Sequence, residues 1–348
     1  MRIRIALVLA AFAVTLLAPT TVGARGSDAA AAARAEHDRI VAYWTPARIA
    51  SAKWKDYSLD PRTGKITPTK GKPGGGGGGG GGGGNVTGAS WTGNGEIEKR
   101  SGRILFSTSA GNWICSGSVV NDGTGNGQSI VLTAGHCVYD GSEGWSYNFM
   151  YIPDFDDAPT YTCGNTVYGC WTATRLAANS TFVSEGGFGT EASVAVDYGF
   201  ARVGLGGKDN AELDAVTGGY GINTAALSNS VVKWAFGYPA AGKYHGNDLV
   251  YCKGPTINDP YGANTWGMAC NMTGGSSGGP WITGTTNPAV YTSSTLLTSV
   301  NSYGYSGLTY MFGPKFNTAT QTVANAAASG NGNSTATVCD TGPSGFNC

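Results

Sequence analysis

Three short stretches carry the residue types of nucleophilic catalysis. A glycine-rich turn (CNMTGGSSGGPW) surrounds Ser277, His136 lies in VLTAGHCV, and Asp197 lies in VAVDYGF. A serine hydroxyl is a poor nucleophile unless a base takes its proton, and an imidazole titrates in the pH range that this requires. A carboxylate beside the imidazole would hold its tautomer. The three residue types therefore predict acyl transfer by a serine nucleophile.

The choice of histidine depends on where the three histidines of the chain lie. His37 lies in an N-terminal leader and His245 in a polar KYHG segment, whereas His136 follows an apolar run that predicts a strand. A lone histidine beside a strand is often a hydrogen-bonded structural residue, and position alone leaves that alternative open. Because an imidazole is suited to general base catalysis near neutral pH, His136 is the candidate base.

The candidate carboxylate is Asp197, which ends the apolar run SVAV. A carboxylate at the end of a buried strand is costly unless another group pairs with it, and the alternative is a solvated aspartate in a surface turn. Three other residues compete for the role: Asp154, Asp156 and Asp157. Their polar PDFDD segment is more typical of a solvated or cation-binding loop.

The glycines beside Ser277 allow a tight turn and the close approach of a substrate carbonyl. The backbone amides of Gly275 and Ser277 could converge on one point and stabilise an oxyanion. The segment also matches G-x-S-x-G, the nucleophile elbow of α/β-hydrolases, which needs a histidine downstream of the serine. No histidine follows His245, so a triad of that kind cannot form. The subtilisin order of Asp, His and Ser stays formally possible.

The same segments resemble motifs of the trypsin/chymotrypsin-like serine endopeptidases. TAGHC at 133–137 resembles the family's TAAHC, DYGFARV at 197–203 resembles DIALLKL, and GSSGGP at 275–280 resembles GDSGGP. CSGSVV at 115–120 resembles CGGSLI. The motifs follow the family's chain order of His, Asp and Ser, and this favours the family over the subtilisin and hydrolase alternatives.

The resemblance implies a role for each residue. Ser277 would be the nucleophile, His136 would take its proton, and Asp197 would orient His136. The amides of Gly275 and Ser277 would form the oxyanion hole. Peptide bonds would be hydrolysed through an acyl-enzyme that water releases, with no cofactor and no metal.

The resemblance also locates a substrate pocket. Asn271, six residues before Ser277, matches the base of the family's specificity pocket, and NSYGY at 301–305 resembles the wall VSWGY. The residues expected to bind substrate, as an added strand along this wall, are Asn271, Ser302, Tyr303 and Gly304. Because Asn271 is neutral, the preference of trypsin for basic residues is not expected here. Asn271 also begins an NMT sequon, whose glycosylation would block the pocket.

One departure from the family concerns activation. Members with a zymogen switch carry an aspartate before the nucleophile that pairs with a freed N-terminus, whereas Ser276 carries no charge. Residues 25–72 hold ten Lys and Arg against five Asp and Glu, and residues 96–348 hold ten against seventeen. We therefore hypothesise that a leader of charge +5 docks on a domain of charge −7 and delays activity until it is cut near the polyglycine run. Since surface ion pairs are individually weak, charge would steer the docking more than hold it.

Eight cysteines, all after residue 114, predict disulfides in an exported chain. A zinc site is the alternative, but the chain has no Cys-x-x-Cys pair and no histidine at ligand spacing. The resemblance implies Cys115–Cys137 and Cys252–Cys270. Nearness in the chain suggests Cys163–Cys170 and Cys339–Cys348.

The chain divides into four expected segments. Residues 1–24 read as a signal peptide, with Arg2 and Arg4 before an apolar run and small residues before a cut after Ala24. Residues 25–72 are expected to be a basic propeptide, with one helix over about 30–44 and another from Pro46 to about Trp54, or alternatively a disordered stalk. Residues 73–95 form a linker around the polyglycine run, and residues 96–348 form the protease domain.

Short apolar runs between Asn-Gly and Asp-Gly turns predict an all-β main domain. The resemblance implies two six-stranded antiparallel barrels, and residues 318–328 predict a late helix. The acidic main domain argues against nucleic-acid binding, and no segment after the signal peptide is apolar and long enough to span a membrane.

We thus expect a secreted, monomeric serine endopeptidase. It would act on peptides or proteins, with its propeptide as inhibitor or folding aid. The alternatives are a catalytically inactive protease-like binding module and a serine esterase on the same triad.

Overall fold

The computed structural model describes residues 22–60, 62–63, 66–68, 84–156, 162–342 and 345–348. Most of the predicted signal peptide, most of the polyglycine run and Asp157 lie outside the described residues. The described helices are α1 (Val22–Tyr43), α2 (Pro46–Ser51), α3 (Glu96–Arg100), α4 (Ser180–Ser184), α5 (Glu191–Val194), α6 (Leu213–Thr217) and α7 (Thr318–Ser329).

Short strands make up most of the regular structure. Before the late helix they are β1 (Lys53–Trp54), β2 (Tyr57–Leu59), β3 (Ile66–Pro68), β4 (Val86–Ser90), β5 (Ser101–Thr108), β6 (Gly111–Val120), β7 (Ser129–Thr133), β8 (Tyr139–Asp140), β9 (Gly144–Trp145), β10 (Tyr147–Pro153), β11 (Trp171–Asn179), β12 (Gly199–Val203), β13 (Gly221–Ile222), β14 (Lys233–Gly237), β15 (Val250–Gly254), β16 (Thr256–Asn258), β17 (Thr265–Ala269), β18 (Pro280–Thr283), β19 (Leu296–Val300), β20 (Gly304–Tyr305) and β21 (Tyr310–Pro314). After it come β22 (Ala336–Gly342) and β23 (Gly345–Asn347).

Six strands in the first half of the main domain close into an antiparallel barrel. Their order is β10, β5, β6, β7, β12 and β11, and β11 pairs back to β10. Side chains of a strand alternate between faces, so Ile104 and Phe106 fill the barrel while Leu105 joins a second cluster outside it. Both faces of β5 are therefore buried, and one of the two expected barrels is confirmed.

The second half of the main domain is also built from strands, but the described strands leave it open. A six-stranded sheet runs in the order β13, β19, β18, β14, β15 and β4, and a separate three-stranded sheet runs β16, β17 and β21. The two sheets share a core that includes Trp266, Met268 and Trp281. The closed second barrel stays a prediction.

The late helix was correctly predicted. The Asn317 side chain accepts a hydrogen bond from the Ala319 amide at the start of α7, and Gly330 ends the helix in a left-handed conformation with φ 83°. Such caps satisfy groups that a helix leaves unpaired at its ends. Val323 and Ala327 face the interior, so α7 packs against the barrel.

Four disulfides form, between the cysteine pairs that the sequence suggested. They join Cys115 to Cys137, Cys163 to Cys170, Cys252 to Cys270 and Cys339 to Cys348. The first bridge links β6 to the turn that carries His136, and the third lies in the core of the second half.

The leader packs on the main domain. Helix α1 starts at Val22, before the expected start at about residue 30, and runs through the expected cleavage site after Ala24. At its C-terminal end Ile40 is buried, as is Trp44, which follows the helix. Thr45 caps α2 as predicted, but the prediction that this helix continues to Trp54 was wrong. The helix ends at Ser51 because the next residues leave it as β1 and pair with β6.

The predicted linker contains a strand. Within 73–95, β4 pairs with β15 at the edge of the open sheet, and Trp91 makes edge-on contacts with Trp234, Phe236 and Tyr251. The main domain therefore starts its packing before residue 96. Among the described residues, no helix combines the length and the apolar character needed to cross a membrane.

Candidate active site

His136 and Asp197 meet at one end of two paired strands. His136 lies in a short 3-10 turn that follows β7, and Asp197 precedes β12, the antiparallel neighbour of β7. The His136 Nδ1 atom lies 2.8 Å from Asp197 Oδ2, and the His136 backbone amide donates to Asp197 Oδ1 at 2.8 Å. This two-point contact fixes both the position and the ring orientation of the imidazole.

A third group completes the environment of Asp197. The Ser302 hydroxyl donates to Asp197 Oδ2 at 2.5 Å. Asp197 is fully buried, and a buried charge is costly unless its acceptor atoms are satisfied. Three donors to one carboxylate meet that requirement. The sequence had placed Ser302 only in the wall of the pocket, and its contact with Asp197 was missed.

Ser277 lies in the turn between β17 and β18, close to Cys137, the residue that follows His136. Its backbone oxygen accepts a hydrogen bond from the Ser116 amide at 2.7 Å and lies 4.0 Å from the Cys137 sulfur. The Ser277 hydroxyl donates to the backbone oxygen of Lys55 at 3.3 Å, and His136 Nε2 is buried with no hydrogen-bond partner among the described residues. The hydroxyl therefore contacts a peptide carbonyl of the leader rather than the imidazole.

The turn before Ser277 is held by the first barrel. The backbone oxygen of Gly275, whose φ is 98°, accepts hydrogen bonds from Ser116 Oγ at 2.8 Å and from the buried Arg103 guanidinium at 3.3 Å. Among the described residues, the amides of Gly275 and Ser277 have no hydrogen-bond acceptor. The expected oxyanion-binding role of the two amides stays a prediction. The part played by Ser116 and Arg103 was not visible in the sequence.

The leader lies across this site. Strand β2 pairs in parallel with β20, with Ser58 opposite Gly304, and therefore covers the predicted substrate-binding edge. The Tyr57 ring contacts the His136 ring edge-on at 5.2 Å between centroids and stacks on Phe188 at 4.5 Å. A substrate could reach Ser277 only if this segment moved away.

Two carboxylates hold the leader beside His136. Lys55 Nζ lies 2.9 Å from Asp140 Oδ2 and 2.8 Å from Glu143 Oε2, and the Tyr57 hydroxyl donates to Asp140 Oδ2 at 2.9 Å. Burial alone would raise the pKa of Asp140, but the Lys55 charge and hydrogen bonds from Ser142, Lys55 and Tyr57 lower it well below its usual value. Asp140 is therefore ionised when the leader is bound.

The other predicted pocket residues have defined contacts. The Asn271 side-chain oxygen accepts a hydrogen bond from the Tyr244 hydroxyl at 2.5 Å. The Asn271 backbone amide donates to the Thr87 backbone oxygen at 3.1 Å. Tyr303 is fully buried, and its hydroxyl donates to Asp259 Oδ2 at 2.5 Å. The expected roles of Asn271 and Tyr303 toward substrate stay predictions.

The competing histidines and aspartates lie elsewhere. His37 Nδ1 lies 3.2 Å from the Thr172 hydroxyl, where burial lowers the pKa of the ring, and Asp156 accepts a hydrogen bond from the Leu249 amide. Within the described ranges, one group of metal-ligand types comes together: Cys115, His136 and Cys137. Because both sulfurs form a disulfide, they are not thiolate ligands.

A closed six-stranded antiparallel barrel with a histidine paired to a buried aspartate, followed in the chain by a serine between glycines, is typical of one class, the serine peptidases of the chymotrypsin type. Comparison with known proteins supports the same class. Residues 86–185 match a family model described as "Lysyl endopeptidase, C-terminal domain", whereas a search of the curated proteins found no match.

Solved structures extend the match over most of the chain. The protease Anisep from Arthrobacter nicotinovorans is 34% identical, with 70% of this chain and 100% of that chain covered and a TM-score of 0.56. The thermostable serine protease AL20 from an extremophilic microorganism is 32% identical, covering 67% and 99%, with a TM-score of 0.54. A Glu endopeptidase, 18% identical, covering 70% and 98% with a TM-score of 0.51, shares the fold. The chain therefore belongs to the trypsin/chymotrypsin-like serine endopeptidases, which are hydrolases.

Proposed function

We propose that this protein is a secreted serine endopeptidase in which Ser277, His136 and Asp197 form the catalytic triad. Once the leader leaves, the Ser277 hydroxyl can turn to His136 Nε2, which takes its proton as Oγ attacks the carbonyl carbon of a peptide bond. The negative charge on the carbonyl oxygen is stabilised by the Gly275 and Ser277 amides.

The second half of the reaction uses the same groups. His136 donates the proton to the leaving amine, the carbon–nitrogen bond breaks, and an ester on Ser277 remains. Water, deprotonated by His136, then attacks that ester, and the Ser277 hydroxyl is regenerated. Throughout, Asp197 stabilises the imidazolium and keeps its Nδ1 proton facing the carboxylate.

One observation carries this proposal: the Ser277 hydroxyl donates to a peptide carbonyl of the leader, whose Tyr57 packs on an imidazole held by a buried carboxylate. A peptide carbonyl next to this hydroxyl supports attack by Ser277 on the carbonyl of a substrate. The Nε2 atom of His136, which has no hydrogen-bond partner among the described residues, is the proposed acceptor of the Ser277 proton.

We propose further that residues 25–72 act as a propeptide that keeps the enzyme inactive. Three features of the leader support this. It covers the edge of β20, its Tyr57 packs on His136, and its Lys55 backbone oxygen accepts a hydrogen bond from the Ser277 hydroxyl. The ion pairs of the leader are more specific than the docking of a +5 leader on a −7 domain would require. In the described part of the leader, Arg34 and Arg39 pair with the leader's own Asp38 and Glu36, and Lys55 supplies the ion pairs to the main domain.

Secretion, removal of a signal peptide and a monomeric state are parts of the same proposal. The four disulfides support an oxidising compartment. Peptides or proteins are the proposed substrates.

Covalent labelling tests the triad. The full chain is folded with a protease site inserted in the polyglycine run, cut there, and freed of its leader. An organophosphonate should then label the wild-type protein and should not label Ser277→Ala, whereas Ser293→Ala, an exposed serine, should be labelled normally. Absence of labelling in the wild type would support the inactive binding module. Labelling with cleavage of esters but not of peptides would support the esterase.

A further inference from the structure

We propose that Asp140 and Glu143 form a substrate subsite that binds a basic side chain next to the scissile bond, and that Lys55 of the leader occupies it until activation. This inference rests on the proposed function, because it concerns the specificity of the same cleft. It names peptides with a lysine or arginine near the cleaved bond as the preferred substrate class.

The subsite is built by the main domain itself. Asp140 ends β8, and its Oδ1 atom accepts hydrogen bonds from the Ser142 amide at 2.9 Å, the Ser142 hydroxyl at 2.7 Å and the Glu143 amide at 3.2 Å. These three donors belong to the same short hairpin. The carboxylate is therefore held in place without help from the leader, and its Oδ2 atom is the one that faces the cleft.

A cation from another segment is seated in this subsite. The Lys55 ammonium contacts both carboxylates, and its side chain is only 6% exposed while those of Asp140 and Glu143 are 15% and 18% exposed. It also lies 5.5 Å from the centre of the Trp113 ring, within reach of a cation–π interaction. Two carboxylates and an aromatic face suit a lysine ammonium or an arginine guanidinium.

The subsite is separated from the Ser277 hydroxyl by no more than the length of the Lys55 side chain. The backbone oxygen of Lys55 accepts the hydrogen bond from Ser277, and its ammonium reaches the acidic pair. The hairpin of β8 and β9 directly follows the turn that carries His136. When the leader leaves, two carboxylates lose their only cation among the described residues, and a peptide in the cleft can supply one.

The neutral Asn271 argues against the preference of trypsin for basic residues at the base of the specificity pocket. The acidic pair lies on the histidine side of the cleft, so a basic preference can arise there without a carboxylate at position 271.

Selectivity of the cleaved, leader-free chain tests the inference. A position-scanning library of fluorogenic peptides should show lysine or arginine favoured about tenfold over glutamine at one position close to the cleaved bond. Glu143→Gln should reduce this ratio severalfold, and Asp140→Asn with Glu143→Gln should abolish it. Asp209→Asn removes an exposed carboxylate elsewhere and should keep the ratio.

Glu143→Gln is the decisive single variant, because Asp140 also holds the hairpin together and its loss could disturb folding. An unchanged ratio in Glu143→Gln and in the double variant, or no basic preference at any position, overturns the inference. If only leader affinity falls in these variants, the acidic pair is an anchor for the leader and not a substrate subsite.

Organophosphonate labelling separates this result from failure of the proposed function. A labelled protein without basic preference rejects the subsite alone, and an unlabelled protein rejects the triad. If no library peptide is cleaved, the slowing of labelling by a lysine peptide is compared with that by its glutamine counterpart. Stronger slowing by the lysine peptide supports the subsite, and equal slowing contradicts it.

Discussion

Asp197 and Asp140 are two carboxylates of one cleft that are satisfied in different ways. Asp197 is fully buried, and its hydrogen bonds with His136 and Ser302 all lie within the main domain. Asp140 has one oxygen held by its own hairpin and the other occupied by Lys55 and Tyr57 of the leader.

This difference separates a carboxylate that is satisfied within the main domain from one that is satisfied in part by the bound leader. Because every hydrogen-bond donor to Asp197 belongs to the main domain, its contact with His136 is not expected to depend on activation. The environment of Asp140 is complete only while the leader is bound. Activation is therefore expected to expose one carboxylate pair and leave the other untouched.

The largest effect is expected for Asp197→Asn. An asparagine amide can stabilise the wrong imidazole tautomer and carries no charge for the imidazolium, so kcat should fall about 10⁴-fold. The measurement is peptide hydrolysis by the cut, leader-free chain, with leader binding measured beside it.

Asp209→Asn is the matched control and should keep full activity, because that carboxylate is exposed and distant from the described hydrogen bonds of the triad. A fall of less than tenfold in Asp197→Asn would show that the buried carboxylate is structural, and would remove the distinction between the two acids.

The contact between His136 and Asp197 was predictable from motif resemblance, and the role of Ser277 beside them stays a prediction. Each of the three residues lies in a local pattern with a recognisable neighbour. His136 follows a strand, Asp197 ends an apolar run, and Ser277 lies between glycines. The late helix was predictable for the same reason, since its cap residue Asn317 and its terminating Gly330 are local signals.

The leader's position was not predictable, since its contacts join residues that are far apart in the chain. Lys55 and Glu143 are 88 positions apart, and Lys55 and Ser277 are 222 positions apart. Pairing with β6 also overrode the helical tendency that had extended α2 to Trp54. Strand pairing of this kind depends on tertiary context, and local propensity does not report it.

The next largest effect is expected for Lys55→Gln in the leader. Removing one partner of a largely buried charge pair leaves Asp140 and Glu143 desolvated and unpaired, so leader affinity should fall about thirtyfold, equivalent to about 2 kcal/mol. The full chain is made with this change and cut in the polyglycine run. The inhibition constant of the leader for the main domain is then measured by dilution.

Lys53→Gln provides the control within the same leader. Lys53 carries the same charge two residues away but is exposed, so its loss should change affinity by less than about twofold. Equal losses in both variants would mean that overall charge holds the leader and that the acidic pair has no special part.

Ser302→Ala should have a smaller effect. It removes one charge-assisted hydrogen bond from Asp197 and leaves the two from His136, so kcat should fall about tenfold. Because Ser302 would act through Asp197 and not on the substrate, the loss should appear in kcat, while KM should change by less than about twofold.

A rise in KM with kcat unchanged would instead show that Ser302 acts on the substrate and not through Asp197. Ser302→Thr retains a hydroxyl and should recover part of the activity. Ser293→Ala, an exposed change of the same type, should leave kcat and KM unaltered.

The smallest effect is the pH dependence of leader binding. The pKa of Asp140 is lowered when the leader is bound, despite the opposing effect of burial, because Lys55, Ser142 and Tyr57 favour its charged form. A group whose pKa is lowered in the complex contributes affinity above its free-state pKa and loses it as the pH falls toward the bound value. Leader affinity should therefore decrease less than about twofold from pH 6 to pH 4 and about sevenfold from pH 6 to pH 3. Calorimetric titration of the cut Ser277→Ala chain with its leader measures this without interference from catalysis. Glu143→Gln should retain the decrease and the double variant Asp140→Asn with Glu143→Gln should lose it, because the Asp140 carboxylate is then absent. If affinity in the unaltered pair is constant over this range, or rises toward pH 3, the bound Asp140 is not held by the leader's charge and the contrast with Asp197 does not stand.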